Sequence, residues 1–268
     1  MDNRLVSIVL PYYNGKKYIK ETIESILAQT HEDFELLLVD DGSSVGQHSE
    51  YVRRLMESYD DCRLKYHYKP NGGLSDARNY GMSNSSGEFI AFIDQDDLWK
   101  TDKLEKQMKI MMANPDVQVI ITDGETVGEK IERLNIASNN NLREGMIIDT
   151  YSKLLWGSFV ICSSVLFRKQ LIEKTGYANR KYAASTDFEY FIRMAEEVDF
   201  YFLNDSLIQY RLHEGNVTKN RICLLSELIQ ILFDRKLFTF KHKVYATKAI
   251  CKSILELSCR WFVKVVNP

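Results

Sequence analysis

Residues 88–97, Glu-Phe-Ile-Ala-Phe-Ile-Asp-Gln-Asp-Asp, decide how this chain is to be read. The stretch from Glu88 to Ile93 has the length and the aromatic and β-branched content of a buried strand, and it stops abruptly at Asp94, Gln95, Asp96 and Asp97. Four more runs of the same kind stand at 5–10 (LVSIVL), 34–39 (FELLLV), 63–68 (RLKYHY) and 117–122 (VQVIIT). Segments of helical period separate them; Tyr18, Ile19, Ile23, Ile26 and Leu27, for example, line one helical face. Strands alternating with helices predict an α/β domain built on a largely parallel sheet. Such sheets bind ligands at the carboxyl ends of their strands, where the strand order reverses.

The predicted strand exits are rich in polar residues and glycine. Pro11-Tyr12-Tyr13-Asn14-Gly15 follows the first run, Asp40-Asp41-Gly42-Ser43-Ser44 the second, Asn71-Gly72-Gly73 the third, and the acid cluster the fourth. Three carboxylates at the end of a buried strand repel one another unless a cation relieves them. Oxygen ligands of this type suit Mg²⁺ or Mn²⁺, which retain waters and bridge to phosphates, so a diphosphate-bearing ligand is the natural partner. A solvated acidic turn is the alternative. Asp41 can accept N–H bonds from a nucleobase or O–H bonds from ribose, although Asp-Asp-Gly-Ser also makes an ordinary turn. Gly72 and Gly73 predict backbone N–H groups open to an anion at a helix N-terminus, with Arg78 and Asn79 one turn further on.

Later in the chain, Thr186 and Glu189 read as a capping box that leaves Asp187 free to face a cleft, while the helix dipole alone also favours an acid there. Tyr210-Arg211-Leu212-His213 ends a strand-like run, with Arg211 and His213 on one face. Between these segments the alternation breaks down. Residues 124–145 read as irregular or a hairpin, and Trp156 is a candidate sugar-stacking platform. From Ile222 onward, Leu225, Leu228, Ile229, Leu232 and Phe233 recur at helical spacing, and a second such segment runs from Tyr245 to about Val265.

Composition narrows the class. The 268 residues carry 35 Lys+Arg against 37 Asp+Glu, a net charge of −2, without the basic excess of a nucleic-acid binder. The charge is uneven: from Arg235 to the end eight Lys or Arg stand against Glu256 alone, leaving an acidic body with a basic tail. That tail, with Trp261 and Phe262, reads as either a membrane-surface helix or a pair of packing helices with solvated lysines. Five widely spaced cysteines form no C-x-x-C, which argues against a disulfide framework or a zinc site and fits a reducing compartment. The apolar start at 5–10 is too short for a signal peptide or a span. A cytoplasmic protein, peripheral at the inner face of the membrane if the tail binds there, is the expectation.

Taken in this order, the motifs resemble those of the inverting family 2 glycosyltransferases of GT-A fold that build bacterial surface polysaccharides. The resemblance runs from about residue 5 to 220. VSIVLPYYNG, LLLVDDGSS, NGGLSDARNYG and GEFIAFIDQDDLW carry its nucleotide half, about 1–123; SSVLFRK, TDFEYFIRMA and YRLHEGNVT carry its acceptor half, about 124–220. Residues 221–268 form a basic helical extension without a family signature. The resemblance implies a Rossmann-like mixed sheet flanked by helices. It also implies that Pro11, Tyr13, Asp41, Gly72, Gly73, Arg78 and Asp94 bind the nucleotide-sugar. Asp96, Asp94 and His213 would hold Mn²⁺ or Mg²⁺, with Arg211 a neighbour, and Asp187 would be the catalytic base. The implied partners are a nucleotide-diphosphate sugar, most simply a UDP-sugar, and a glycan or polyprenyl-linked acceptor.

Three other classes share parts of this pattern. A haloacid-dehalogenase-type phosphatase needs D-x-D-x-[TV], and Leu98 stands at the last position. A sugar nucleotidyltransferase has a Gly-rich first loop where this chain has Pro-Tyr-Tyr-Asn-Gly. A catalytically silent nucleotide-sugar or glycan-binding module keeps the fold without turnover, and retention of Asp187 and the acid cluster argues against it.

Overall fold

The computed structural model describes residues 4–128, 131–213, 221–234, 243–244 and 247–248. The five expected strands form as β1 (Val6–Tyr12), β2 (Phe34–Asp41), β3 (Leu64–Lys69), β4 (Phe89–Phe92) and β6 (Val119–Val127). Four further strands are β5 (Leu98–Trp99), β7 (Gly145–Met146), β8 (Leu166–Arg168) and β9 (Tyr201–Arg211). Helices α1 (Ile19–Leu27), α2 (Ser49–Ser58), α3 (Leu74–Ser83) and α4 (Lys103–Ala113) belong to the first half of the chain. In the second half come α5 (Ile136–Asn139), α6 (Thr150–Trp156), α7 (Ile172–Thr175), α8 (Thr186–Glu197) and α9 (Arg221–Asp234).

The strands make one sheet in the order β3-β2-β1-β4-β8-β6-β9-β5, with β7 beside β9. β3, β2, β1 and β4 are parallel, as the alternation predicts. β6 and β9 also pair in parallel, whereas β8 runs antiparallel to β4 and β6, and β5 and β7 run antiparallel to β9. The sheet is therefore mixed. Parallel neighbours need a long crossover, and the alternation that supplies crossovers ends once the chain leaves the acid cluster.

Both faces of the sheet are covered, which is why its strands read as continuous apolar runs rather than alternating ones. Ile8 and Leu10 pack into one apolar cluster with Ile19, Ile23 and Ile26 of α1, while Val9, on the other face, joins Ile90, Phe92 and Phe167. β2 and β3 lie on one side of β1 and β4 on the other, so the order reverses between β1 and β4.

α9 packs on this body. Ile231 and Leu232 are buried in the second cluster, with Leu228 against it. Phe233, expected on the same apolar face, is 80% exposed. The stripe runs 228, 231, 232, and one residue further rotates the side chain about 100° away from it. Of the expected second tail helix only residues 247–248 are described; the rest, with its suggested membrane surface, lies outside the described residues. No helix among the described residues is long and apolar enough to cross a membrane.

One charge in the sheet is purely structural. Glu35 of β2 is 4% exposed and accepts the Ser7 hydroxyl, the Ser86 N–H and the Lys65 ammonium, each at 2.5 Å. Burial pushes its carboxyl up, and these three donors outweigh burial, leaving it below the ordinary carboxylate range. A depressed acid stabilises the fold above its unfolded pKa, and that contribution is lost as pH falls through the folded value. Glu35→Gln should therefore cost about 1–3 kcal/mol near neutral pH, with the gap to the parent narrowing in acid, measured by urea denaturation across pH.

Candidate active site

The exits of β1 and β4 meet at the reversal point. Gln95, just past β4, accepts the Tyr13 N–H at 2.9 Å and donates to the Tyr13 carbonyl at 3.3 Å. On the other side of β1, Asn14 donates its N–H to Ser43 Oγ at 2.9 Å and accepts the Ser44 N–H at 3.0 Å. Three strand ends are thereby tied into one rim. Pro11 is buried within β1 opposite Val39, and Tyr13 stands 51% exposed above it.

Arg78 of α3 lies at the centre. Its side chain is 3% exposed; Nη2 donates to Asp94 Oδ1 at 2.7 Å and Nη1 donates to Asp187 Oδ1. Asp94 lies two residues past β4 and Asp187 is in the first turn of α8, so one guanidinium joins the first half of the chain to the second. Burial opposes the charge on Arg78, and the two carboxylates outweigh it and raise its pKa. For Asp187, burial raises the pKa, Arg78 pulls it down and Asp94 pushes it up again; the net direction is up. That balance offsets the depression expected at a helix N-terminus. Arg78 Nε is buried and has no hydrogen-bond partner among the described residues.

Asp96 and Asp97 face different partners. Asp96 Oδ2 lies 2.5 Å from His213 Nε2. Arg211 donates Nε–H to the Asp96 carbonyl at 2.8 Å and Nη2–H to Glu21 at 2.6 Å. Tyr18, the N-cap of α1, contacts both residues: its ring centroid is 4.5 Å from the Arg211 guanidinium and 5.1 Å from the His213 ring. Asp97 is buried; it accepts the Ser163 hydroxyl at 2.5 Å and the Arg211 N–H at 3.0 Å, while Ser163 Oγ accepts the Asp94 N–H at 3.1 Å. Burial and then Asp94 raise the pKa of Asp96 against the pull of His213. Burial, Asp94 and Asp96 raise Asp97 well above the carboxylate range.

The Asn71-Gly72-Gly73 loop departs from the expectation of an open anion cradle. Its N–H groups already have an anion, the Asp41 carboxylate, which accepts Gly72 N–H at 2.9 Å on one oxygen and Gly73 N–H at 2.7 Å on the other. Lys69 joins at 2.5 Å. Asp41 therefore shapes this loop, and its second oxygen keeps a lone pair for a ligand N–H.

The capping box predicted at α8 does not form. Ser185 is the N-cap without a side-chain cap bond, the Thr186 hydroxyl meets Ser75 of α3 at 2.5 Å, and Glu189 grips Arg193 at 2.8 Å. Packing against α3 offers Thr186 a buried partner that a local cap cannot match. Trp156 is 45% exposed at the end of α6, with the Lys248 ammonium 5.5 Å from its ring centroid, apart from the contacts just described. Ser163, Ser75, Tyr18 and Glu21 were not singled out from sequence. Ser163 lies inside the SSVLFRK motif, whereas Tyr18 and Glu21 read only as parts of an amphipathic helix.

Two sets of side chains invite a divalent cation. Ligand atoms of Asp94, Cys162 and Asp187 lie within 4.8 Å of one another. Arg78 already supplies positive charge there, and burial pushes the Cys162 thiol well up, so it offers no thiolate. The carboxylate and imidazole of Asp96 and His213 fit Mn²⁺ or Mg²⁺ better. Asp94, expected beside them, turns its Oδ1 to Arg78 instead.

The profile described as "Glycosyl transferase family 2" matches residues 7–176, which hold β1, β2, β4, Asp41, Arg78 and the acid cluster. The chain belongs to glycosyl transferase family 2. This family 2 chain is 30% identical over 224 residues to an uncharacterized glycosyltransferase of Rickettsia typhi, covering 83% of this chain and 69% of that protein. A Rickettsia conorii relative is 32% identical over 80% of this chain, which spans only 35% of its length. The Escherichia coli UDP-Glc:alpha-D-GlcNAc-diphosphoundecaprenol beta-1,3-glucosyltransferase WfgD is 29% identical, with 87% of each chain covered.

Residues 1–349 of Staphylococcus aureus TarS, solved with UDP-GlcNAc, superpose with a TM-score of 0.74 at 18% identity, over 91% of this chain and 71% of that fragment. The mannosyltransferase PcManGT of Pyrobaculum calidifontis, solved with GDP-Man and Mn²⁺, gives 0.70 at 18% identity, over 100% of this chain and 76% of its own. The fold is the GT-A fold.

In this family 2 glycosyltransferase, loss of Arg78 leaves the half-buried acids Asp94 and Asp187 without their cation. Arg78→Ala should cost about 1–3 kcal/mol near neutral pH, because both carboxylates keep contact with water. An acid with a raised folded pKa destabilises the fold as pH rises through the carboxylate range. Removing Arg78 enlarges that penalty, so chemical denaturation should show a smaller deficit in mild acid than at neutrality.

Proposed function

We propose that the protein is a metal-dependent inverting glycosyltransferase that moves a sugar from a UDP-sugar to a hydroxyl of a glycan or polyprenyl-linked acceptor in surface-polysaccharide synthesis. The observation that carries this reading is the convergence of Asp187, Arg78 and Asp94 beside the Asp96–His213 pair, at the carboxyl ends of β1 and β4. Family membership supplies the reaction class. The likeness along most of its length to WfgD, a UDP-Glc glucosyltransferase acting on a GlcNAc-diphosphoundecaprenol, supports the UDP-sugar donor and the lipid-linked acceptor.

In this reading the rim formed by Pro11, Tyr13, Asp41, Gly72 and Gly73 seats the nucleotide. Asp41 receives the N3–H of uracil, and the buried Arg78 guanidinium supplies positive charge behind the donor diphosphate. Asp96 and His213, with Asp94 nearby, would hold Mn²⁺ or Mg²⁺, and a cation held there would supply neutralisation of the charge on the leaving diphosphate, an effect on the order of several kcal/mol in metal-assisted reactions. Asp187 accepts the proton of the acceptor hydroxyl as that oxygen bonds to the anomeric carbon and the bond from that carbon to the diphosphate oxygen breaks. A single displacement from the opposite face inverts the configuration. Burial and Asp94 lift Asp187 toward the pKa a general base needs. Trp156 is the proposed acceptor platform.

Thermal-shift measurement with UDP, dTDP, GDP and CMP, each with and without Mn²⁺, tests the donor half, because a ligand of the native state raises Tm with its affinity. A Mn²⁺-dependent shift for UDP is expected, and it should vanish in Asp96→Ala. Asp187→Ala should keep that shift and lose transfer by about 10²–10⁴-fold. Equal loss of the UDP shift in both variants would contradict the division of roles. Product release separates the rivals: UDP for transfer, pyrophosphate for a nucleotidyltransferase, and none for a silent binding module.

A further inference from the structure

The matched family profile ends at residue 176, yet the helix farthest along the chain among the long described ones grips the segment that delivers Asp187. Glu227 of α9 accepts three successive backbone N–H groups: Ala183 on Oε1 at 2.9 Å, then Ala184 and Ser185 on Oε2 at 3.0 and 2.7 Å. Two turns later, Asp234 Oδ2 accepts the Lys181 ammonium and the Tyr182 hydroxyl, both at 2.7 Å. Leu228, Ile231 and Leu232 seat the helix on the core between these two contacts.

The opposite side of the same segment is fixed to α3. Ser75 Oγ donates toward the Asn179 and Tyr182 carbonyls at 3.2 and 3.3 Å, and Asn79 exchanges two 2.9 Å bonds with Ala178. Residues 178–185 are thus a strap held between α3, which carries Arg78, and α9. Asp187 lies two residues past its end. Ser185, the N-cap of α8, makes no side-chain cap bond, so the Glu227 carboxylate is the group that orders the backbone N–H groups just ahead of the helix.

We propose that Glu227 is a positioning residue for Asp187. By collecting three consecutive N–H groups it sets the entry of α8, and with it the distance from the base to Arg78 and to the acceptor hydroxyl. The proposal rests on the reading of Asp187 as the base. Misplacement of a reacting group by about 1 Å costs on the order of 10²-fold in rate, so a clamp at this point acts on turnover rather than on donor affinity.

Glu227→Ala removes all three bonds, whereas Glu227→Gln keeps an oxygen for those on Oε2 and sets an amide against the third. In the full chain, amide exchange at residues 183–187 should rise about tenfold in Glu227→Ala and less in Glu227→Gln, with UDP affinity in the presence of Mn²⁺ unchanged by titration calorimetry. UDP release from UDP-glucose and UDP-N-acetylglucosamine should show kcat falling about ten- to a hundredfold in Glu227→Ala at constant KM, with partial rescue in Glu227→Gln.

Unchanged exchange in Glu227→Ala would overturn the clamp. Parent-like turnover in Glu227→Ala, where Asp187→Asn abolishes it, would overturn positioning alone. Full turnover in Asp187→Asn would overturn the base reading and the proposal with it, whatever the exchange shows.

Discussion

The Arg78 guanidinium, held between Asp94 and Asp187, is the interaction on which the site depends. It lies at the junction of a strand end, a helix start and the middle turns of α3, and each of these comes from a different part of the chain. Buried ion pairs add little net stability, because desolvation cancels much of the Coulomb gain. The value of this one is geometric. Two acids that would repel at this distance are kept together by one planar cation with two donor arms.

The remaining acids follow the same logic with other partners. His213 answers Asp96, and the Ser163 hydroxyl and the Arg211 N–H answer Asp97. Asp41 answers the loop at Gly72 and Gly73. Every carboxylate expected to face a ligand is thus also a structural acceptor, which fixes its orientation before any ligand arrives. Preorganisation of this kind lowers the reorganisation needed during reaction. The strap between α3 and α9 extends it to backbone level, where side-chain acceptors replace the missing cap of α8.

Much of this was legible in the residue order. The runs at 5–10, 34–39 and 88–93 form adjacent parallel strands because continuous apolar content suits only a sheet covered on both faces. The exits after them carry the acids because polar residues must follow where a buried strand reaches solvent. Pairings between residues 52 to 190 positions apart were not legible. Ser75 with Thr186, Glu21 with Arg211 and Asp234 with Tyr182 leave no periodic trace, and each partner alone reads as a routine surface or cap residue. The capping box at Thr186 is instructive: local spacing allowed it, and a tertiary partner took the hydroxyl.

By itself the sequence determined the layered α/β class, the edge of the sheet where chemistry gathers, and the acids and the histidine that gather there. Local composition and period are enough for that, since burial and strand alternation act residue by residue. Which acid meets which donor was settled only by folding: Asp94 turns to Arg78 rather than joining Asp96 and His213, Asp41 fills the glycine loop, and α9 holds the approach to Asp187. Those choices are settled by competition among donors and acceptors brought together from distant segments, and that competition exists only once the chain has folded.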